Sequence, residues 1–414
     1  MLVMEEISDL CPDLWPPFRY NPFGFRTCLA KSLGKWRGTM VDLSMKMLLH
    51  DRLRFALTTF GVAFSVMLVL VQVGLFEGLI SYAADTILPI RQADLWITSW
   101  NTQNIDFANY FPENLVNRVR SIPGVERADN LMVDFMPIHL PNGSSDGVMV
   151  YGLTHYWKWG VPWNVVSGNP LDLRGGPYMF LDDFATHRYG PFRVGEYREI
   201  TNQRFKIIGV LHGLRSFTTI PVAFLDFYRA QALTDITFGK TAYILVHLAP
   251  GADRKAVMAE IRRRLPYNDV FTRKAWARKG QDYWIFKTGL GFNMGMIVFL
   301  GCLVGVVILA QTLYTTTMEH VREFGMVKAI GGDNGDIYRL LMRQATVIAV
   351  AGYIAGTLLA FLIKPLARKG DLDLILSPAL LGTVFVSTVA LCLLASTVSF
   401  RKVSRIDPAL LFRG

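Results

Sequence analysis

The chain has 414 residues, of which 51% are apolar and only 18% charged, and its mean hydropathy is +0.29. This composition excludes a purely soluble protein, yet the hydropathy is too low for a chain that lies wholly in a membrane. The formal charge of +10 is interpreted as cytoplasmic Lys and Arg residues that orient membrane helices, rather than as a nucleic-acid surface. The four cysteines include no CxxC pair, so neither a disulfide framework nor a zinc site is predicted.

Four stretches are long and apolar enough to cross a bilayer, which takes about 20 residues. They are residues 55–80, 291–314, 345–363 and 380–400. Eight Lys and Arg residues precede the first stretch, and further basic residues follow the second and the fourth. Because basic residues favour the cytoplasmic side, both termini are expected in the cytoplasm and the long segment 84–288 outside it. The bias is imperfect, since Lys364, Arg368 and Lys369 lie on the opposite side.

The segment 84–288 has the pattern of a folded α+β domain with a β-rich insert. Apolar residues at helical spacing predict short helices at 112–125 and 252–264. Alternating segments around a Pro-Asn-Gly turn predict a hairpin from strands 127–140 and 147–153, and 194–213 predicts another. A further strand is predicted at 240–248. The fold class is therefore a polytopic α-helical membrane protein with four transmembrane helices and a large extracytoplasmic α+β domain between helices 1 and 2.

Glycine pairs four residues apart recur in the membrane stretches. This spacing places both glycines on one helix face and allows a neighbouring backbone to approach closely. The pairs interpreted as helix-packing sites, within a bundle or a dimer, are Gly74 and Gly78, Gly301 and Gly305, and Gly352 and Gly356. Because the third and fourth stretches contain no ionisable side chain, packing is a better interpretation than an ion pathway.

Two segments next to the spans are amphipathic. Residues 41–55 have the pattern of a basic interfacial helix. Residues 318–330 place Val321, Phe324, Val327 and Ile330 on one helical stripe. Such a helix between two spans is either a docking site for a cytoplasmic partner or a helix lying on the membrane surface.

The sequence lacks a convincing catalytic motif. The only GK[ST] string, Gly239-Lys240-Thr241, has Thr234 where the phosphate loop requires glycine. A GxSxG string occurs at 143–147, but it is placed in a hairpin turn and not between a strand and a helix. No cofactor or metal site is predicted, and any ATP hydrolysis is assigned to another chain.

Three segments resemble the MacB-type permeases of ABC exporters, which carry an FtsX-like membrane domain. They are LLHDRLRFALTTFGVAFSV at 48–66, REFGMVKAIGG at 322–332 and RKVSRIDPALLFRG at 401–414. With one span, a large domain and three further spans, the layout is closest to stand-alone DevC-like permeases, which have no fused ATPase domain.

The resemblance implies a non-catalytic permease subunit in the inner membrane, driven by a separate cytoplasmic ABC ATPase. It also implies a homodimer surrounded by membrane lipids, a periplasmic membrane-fusion adaptor and an outer-membrane channel, with no nucleic-acid partner. By likeness to the family, the ATPase contact is assigned to Glu319, Arg322, Glu323, Phe324, Gly325, Lys328, Ala329 and Gly331.

The expected organisation has four parts. Residues 1–39 form a cytoplasmic extension, 40–83 the interfacial helix and first span, 84–288 the outer domain, and 289–414 the FtsX-like domain with its coupling loop at 315–344. Translation is expected to start at Met40, because the family-like sequence begins there.

Two alternatives remain. The first is an FtsX-like membrane regulator of cell-wall hydrolases, which would act on a periplasmic partner without export. The second is a membrane hydrolase that uses Ser145 of the GxSxG string.

Overall fold

The computed structural model describes residues 52–214, 216–218, 220–319, 334–370 and 372–403. The extension at 1–39 and most of the expected interfacial helix lie outside these residues. The chain divides into two compact units. The membrane unit comprises the described parts of 1–71, 297–363 and 376–414, and the head unit comprises those of 72–296 and 364–375.

Within the described residues, four helices are long and apolar enough to cross a membrane, at the four places that the sequence predicts. Their apolar stretches are Phe55–Asp85, Leu290–Thr312, Tyr338–Lys369 and Pro378–Thr397. The α-helices in chain order are α1 Arg52–Asp85, α2 Leu115–Arg120, α3 Tyr156–Trp159, α4 Ala185–Tyr189, α5 Phe227–Gln231, α6 Arg254–Arg264, α7 Arg273–Asp282, α8 Leu290–Glu319, α9 Asn334–Lys369 and α10 Pro378–Val403.

The head unit is built on a ten-stranded mixed sheet and a separate strand pair. The strands are β1 Leu95–Ser99, β2 Phe111–Pro112, β3 Val125–His139, β4 Ser145–Leu153, β5 Val165–Ser167, β6 Tyr178–Asp182, β7 Tyr197–Ile200, β8 Gln203–Leu211, β9 Val222–Asp226, β10 Lys240–Thr241, β11 Tyr243–Leu248 and β12 Asn268–Thr272. The sheet order is β12-β1-β11-β3-β4-β9-β6-β8-β5, with β7 paired to both β3 and β8. Both predicted hairpins form, as β3 with β4 and as β7 with β8.

Burial along the strands follows from their place in the sheet. In β8 buried residues alternate with less buried ones, as in a strand with one face against a core. In β6, which lies between β8 and β9, the four residues from Met179 to Asp182 are all buried, so both faces of this strand are covered. Helices α2 and α6 cover the end of the sheet around β1 and β11, where Val119, Val257 and Ile261 pack against Leu95 and Ile97.

A buried carboxylate connects the short helices to the long hairpin. Asp129 of β3 is 2% exposed and accepts hydrogen bonds from Arg120 Nη2 at 2.8 Å and Trp159 Nε1 at 2.9 Å. His155 Nδ1 lies 3.2 Å from the same carboxylate. Because these donors come from α2 and the α3 region, Asp129 holds both helices against β3.

A second buried carboxylate has no such partners. Asp106 is 6% exposed, and within the described part of the chain neither of its oxygens has a hydrogen-bond partner. The loop before it is held by Tyr243, whose hydroxyl lies 3.2 Å from the carbonyl oxygen of Asn104 and 3.0 Å from that of Ile105. Burial raises the pKa of Asp106 to about 7, because the charged form loses its hydration without a compensating bond.

This shift predicts how stability depends on pH. An unfolded Asp has a pKa near 3.9, so between about pH 4 and pH 7 the folded protein binds more protons than the unfolded one, and stability falls as pH rises. The loss is complete above pH 7 and amounts to roughly 4 kcal/mol. Asp106→Asn removes this titration. The melting temperature of the variant minus that of the native protein should therefore increase from pH 4.5 to pH 8, with both measured in lipid nanodiscs.

Asp235→Asn, at an exposed position of the head unit, serves as the control. Its melting temperature should change with pH as that of the native protein does. If the Asp106→Asn curve also ran parallel to the native one, Asp106 would not be buried as a neutral acid.

Candidate functional site

The loop assigned to the ATPase contact is described only at its start. Glu319 is the exposed last residue of α8. The other assigned positions, Arg322, Glu323, Phe324, Gly325, Lys328, Ala329 and Gly331, lie outside the described residues. Their role stays a prediction from the sequence.

Three of the sequence-assigned glycines lie where helices of the membrane unit approach α1. A Cβ atom added at Gly305 of α8 would lie 2.6 Å from Ser65 Oγ, and one at Gly352 of α9 would lie 2.6 Å from Val62 Cγ1. At Gly356 it would lie 2.5 Å from the carbonyl oxygen of Ala63. All three distances are shorter than real Cβ contacts, so any side chain would force the helices apart.

Two further glycines, Gly301 of α8 and Gly61 of α1, lie where these two helices meet. Gly301 is less crowded, since an added Cβ would make an ordinary contact of 3.7 Å with Val69 Cγ2. Sequence reasoning missed Gly61, where an added Cβ would lie 2.7 Å from Ile308 Cγ2 of α8. Gly61 has no glycine four residues away, so a search for spaced pairs cannot find it.

The remaining pair, Gly74 and Gly78, faces a different neighbour. In the head unit, residues 372–375, here named the strap, cross the end of α1 without helical or strand structure. The backbone N–H of Ile375 donates to the carbonyl oxygen of Gly74 at 3.1 Å, and a Cβ atom added at Gly78 would overlap the carbonyl oxygen of Asp373. The spacing predicts a helix at this face, whereas the structure places the strap there.

Side chains hold the strap in place as well. Tyr82 Oη, one turn beyond Gly78, donates to Asp373 Oδ2 at 2.7 Å. Leu374 is only 3% exposed, and the strap leaves α9 through a bond from Leu372 N to the carbonyl oxygen of Ala367 at 3.1 Å. The strap therefore joins the end of α9 to the end of α1 within the head unit.

An aromatic joint connects the same end of α1 to the sheet. Trp284, in a π-helical turn at Tyr283–Lys287, stacks on Phe217 with ring centroids 3.9 Å apart and an angle of 14°. Phe107 is a second ring neighbour of Trp284, with centroids 6.0 Å apart, and Ala83 of α1 belongs to the same buried cluster as Phe217 and Trp284. The joint thus brings together α1, the chain entering α8 and the loop between β8 and β9.

The geometry around Ser145 does not fit a hydrolase. Ser145 and His139 are paired across the β3–β4 hairpin, and their side chains lie 2.7 Å apart on an exposed surface. The neighbouring carboxylate, Asp146, binds Arg188 at 2.6 Å. A nucleophile elbow needs a strained turn between a strand and a helix, and Ser145 lies instead in a regular strand. Among the described residues, no group of three His, Cys, Asp or Glu side chains is placed to hold a metal ion.

Comparisons with known proteins fit this architecture. The model of the MacB-like periplasmic core domain matches residues 55–264, and that of the FtsX-like permease C-terminal domain matches 295–408. The chain is similar to the pyoverdine export ATP-binding/permease protein PvdT of Pseudomonas fluorescens, with 22% identity over 92% of this chain. It spans only 60% of the length of that relative.

Two further similarities were found. The uncharacterized ABC transporter permease MJ1507 of Methanocaldococcus jannaschii is 20% identical, over 80% of this chain and 86% of the relative. The periplasmic region of MacB from Actinobacillus actinomycetemcomitans is a structural neighbour with 13% identity and a TM-score of 0.36, covering 45% of this chain and 92% of that one.

The first family match alone covers just over half of the chain, and the two matches together take in most of each of the four long helices and most of the head unit. This protein is a membrane protein that belongs to the MacB- and FtsX-type family of ABC transporter permeases.

Proposed function

We propose that this chain is the permease subunit of an ABC-type export complex, in which a separate ATPase in the cytoplasm moves the head unit on the other side of the membrane. The observation that carries this proposal is the strap on Gly74 and Gly78, because it links the ends of two membrane helices inside the head unit. A movement of either helix end is then passed to the other through direct contacts.

The length of the helices supports this mechanism. Helix α1 has 34 residues, which is about 51 Å at 1.5 Å per residue, whereas the hydrocarbon core is roughly 30 Å thick. The same unbroken helix supplies residues to the membrane unit and to the head unit. Since an α-helix is stiff along its axis, tilting or shifting α1 in the membrane moves the residues that bear the strap and the aromatic joint.

The orientation follows from the charges. The head unit faces the periplasm and both termini face the cytoplasm, because basic residues precede α1 and follow α8 and α10. The coupling loop at 315–344 then lies on the cytoplasmic side, where Glu319, Phe324 and Gly325 are within reach of the ATPase. The chain itself is non-catalytic in this proposal.

The relatives favour export as the purpose of the movement. PvdT is a pyoverdine export ATP-binding/permease protein, and this chain spans 60% of its length. We infer a homodimer that works with an adaptor and an outer-membrane channel, the head units acting on a substrate taken from the periplasm or the outer leaflet.

An FtsX-like regulator of a cell-wall hydrolase is the second candidate, since the FtsX-like match at 295–408 fits both functions. Co-purification from native membranes separates the two. An adaptor and an outer-membrane channel support export, whereas a murein hydrolase supports regulation.

The ATPase contact is tested by Gly325→Trp. We expect this variant to insert normally but to lose permease-stimulated ATP hydrolysis, because a large side chain keeps the coupling loop away from the ATPase. Hydrolysis is measured with the purified ATPase and the permease in vesicles. Gly382→Trp, at an exposed position of α10 with nothing within 4 Å of an added Cβ, is the control and should retain full stimulation. Unchanged stimulation in Gly325→Trp would remove the loop from the contact.

The strap is tested by Gly78→Ala. The added methyl group overlaps the carbonyl oxygen of Asp373, so the strap must leave α1 and expose Leu374. In a Leu374→Cys background without the native cysteines, maleimide labelling of position 374 should be slow when Gly78 is retained and clearly faster when Gly78→Ala is added.

Gly295→Ala is the matched control, because nothing lies within 4 Å of an added Cβ there. In a helix interior Ala is more favourable than Gly by about 1 kcal/mol, so this control should be as stable as the parent or more so, and equally slow to label. Equal labelling rates in all three proteins would show that the strap is not held at Gly78.

A further inference from the structure

A cleft lies within the membrane unit between α1, α8 and α10. Its volume is about 50 Å³. Helix α1 contributes Val62, Ser65, Val66 and Val69, α8 contributes Cys302, Gly305, Val306 and Leu309, and α10 contributes Val384, Ser387, Thr388, Leu391 and Cys392. The mouth lies at Ser387, which is exposed, whereas Cys392 is 4% exposed.

The walls are apolar and carry no charged side chain. The hydroxyl of Ser387 donates to the carbonyl oxygen of Val384 in its own helix at 3.0 Å, so it needs no further partner. Ser65 differs, because it is 8% exposed and its Oγ has no hydrogen-bond partner among the described residues. The cleft therefore suits an apolar ligand, with one polar atom available on the α1 wall.

The depth of the cleft identifies the ligand class. Its α10 residues lie at the middle of the apolar stretch Pro378–Thr397, and its α1 and α8 residues lie well inside Phe55–Asp85 and Leu290–Thr312. At this depth the surrounding medium is the hydrocarbon of the bilayer, without headgroups or bulk water. An apolar space of this kind stays dry and takes up apolar molecules, and an unfilled space forfeits packing energy.

A second copy of the chain is a weaker occupant. The cleft uses the face of α8 that carries Cys302, Val306 and Leu309, positions that share one side of a helix. The other side of α8 is exposed, for example at Leu303, Val304 and Val307. Another copy can pack on that exposed side without entering the cleft.

We propose that the cleft binds the terminal segment of one fatty-acyl chain of a membrane phospholipid, between α1, α8 and α10. The segment enters at Ser387, passes Val306 and ends near Cys392, five residues or about 7.5 Å along α10. The bound acyl chain fills the space beside Gly305 and keeps α10 apart from the crossing of α1 and α8. This site is independent of the proposed export function, since it rests only on the walls and depth of the cleft.

The experiment uses the full chain in nanodiscs that contain a phospholipid with a photoreactive diazirine on its acyl chain. After illumination, adducts are mapped to residues by mass spectrometry. We expect adducts concentrated on cleft residues of α1 and α10, above the level on the exposed face of α8.

Two adjacent valines give a matched pair of variants. Val306→Trp fills the cleft and should reduce the cleft adducts on the order of ten-fold, which corresponds to about 1.4 kcal/mol of binding free energy. Val307→Trp places the same side chain on the exposed face and should leave them unchanged. Ser387→Leu, which blocks the mouth at an exposed position, should also reduce them and serves if Val306→Trp fails to fold.

Two results would overturn the proposal. One is an even distribution of adducts that none of the cleft variants changes, which would mean that the cleft holds no lipid. The other is cross-linking of Cys302 or Cys392 to a second copy by a short thiol-reactive reagent, with Cys11 and Cys28 replaced by Ser, which would mean that another chain occupies the cleft.

Discussion

The close packing of glycines along α1 is the constraint on which the rest of the structure depends. In the membrane unit, Gly305, Gly352 and Gly356 allow α8 and α9 to approach this helix to distances that no side chain would permit. In the head unit, Gly74 and Gly78 allow the strap to lie directly on its backbone. One helix of 34 residues therefore makes close backbone contacts in both units, and the proposed coupling depends on these contacts.

This arrangement explains what the polar residues of the chain do. The carboxylates and hydroxyls near the helix ends fasten parts of the protein to one another, as Asp373 does with Tyr82 and Asp129 with Trp159. A carrier with a solute pathway would instead keep ionisable groups at the middle of its spans, where this chain has mainly glycine and aliphatic residues. The polar side chains of the described residues thus join elements of the fold, which is consistent with the proposed mechanical role.

The sequence predicted the layout well, because its signals are local. Four long apolar stretches, two hairpins and the helix predicted at 252–264 all depend on periodicity or turn residues close together in the chain, and all are present, the helix as Arg254–Arg264. Glycine spacing likewise indicated where α1 is closely packed. It did not identify the neighbour, since the contact of Gly78 with Asp373 joins residues almost three hundred positions apart and the strap has no helical or strand pattern of its own.

The features that were missed also depend on long-range contacts. Nothing near Asp106 in the sequence indicates that the sheet buries it without a partner, and Phe217 and Trp284 come from segments that only the fold brings together.

The central claim is that ATP hydrolysis in the cytoplasm moves the head unit relative to the membrane helices. It is tested most directly by pulsed EPR between spin labels at two exposed positions, Tyr267 in the head unit and Leu394 in α10, in the full chain without its native cysteines, assembled with its ATPase. The account predicts that the distance distribution shifts when ADP is replaced by ATP and vanadate. Identical distributions in both states, with hydrolysis intact, would contradict it.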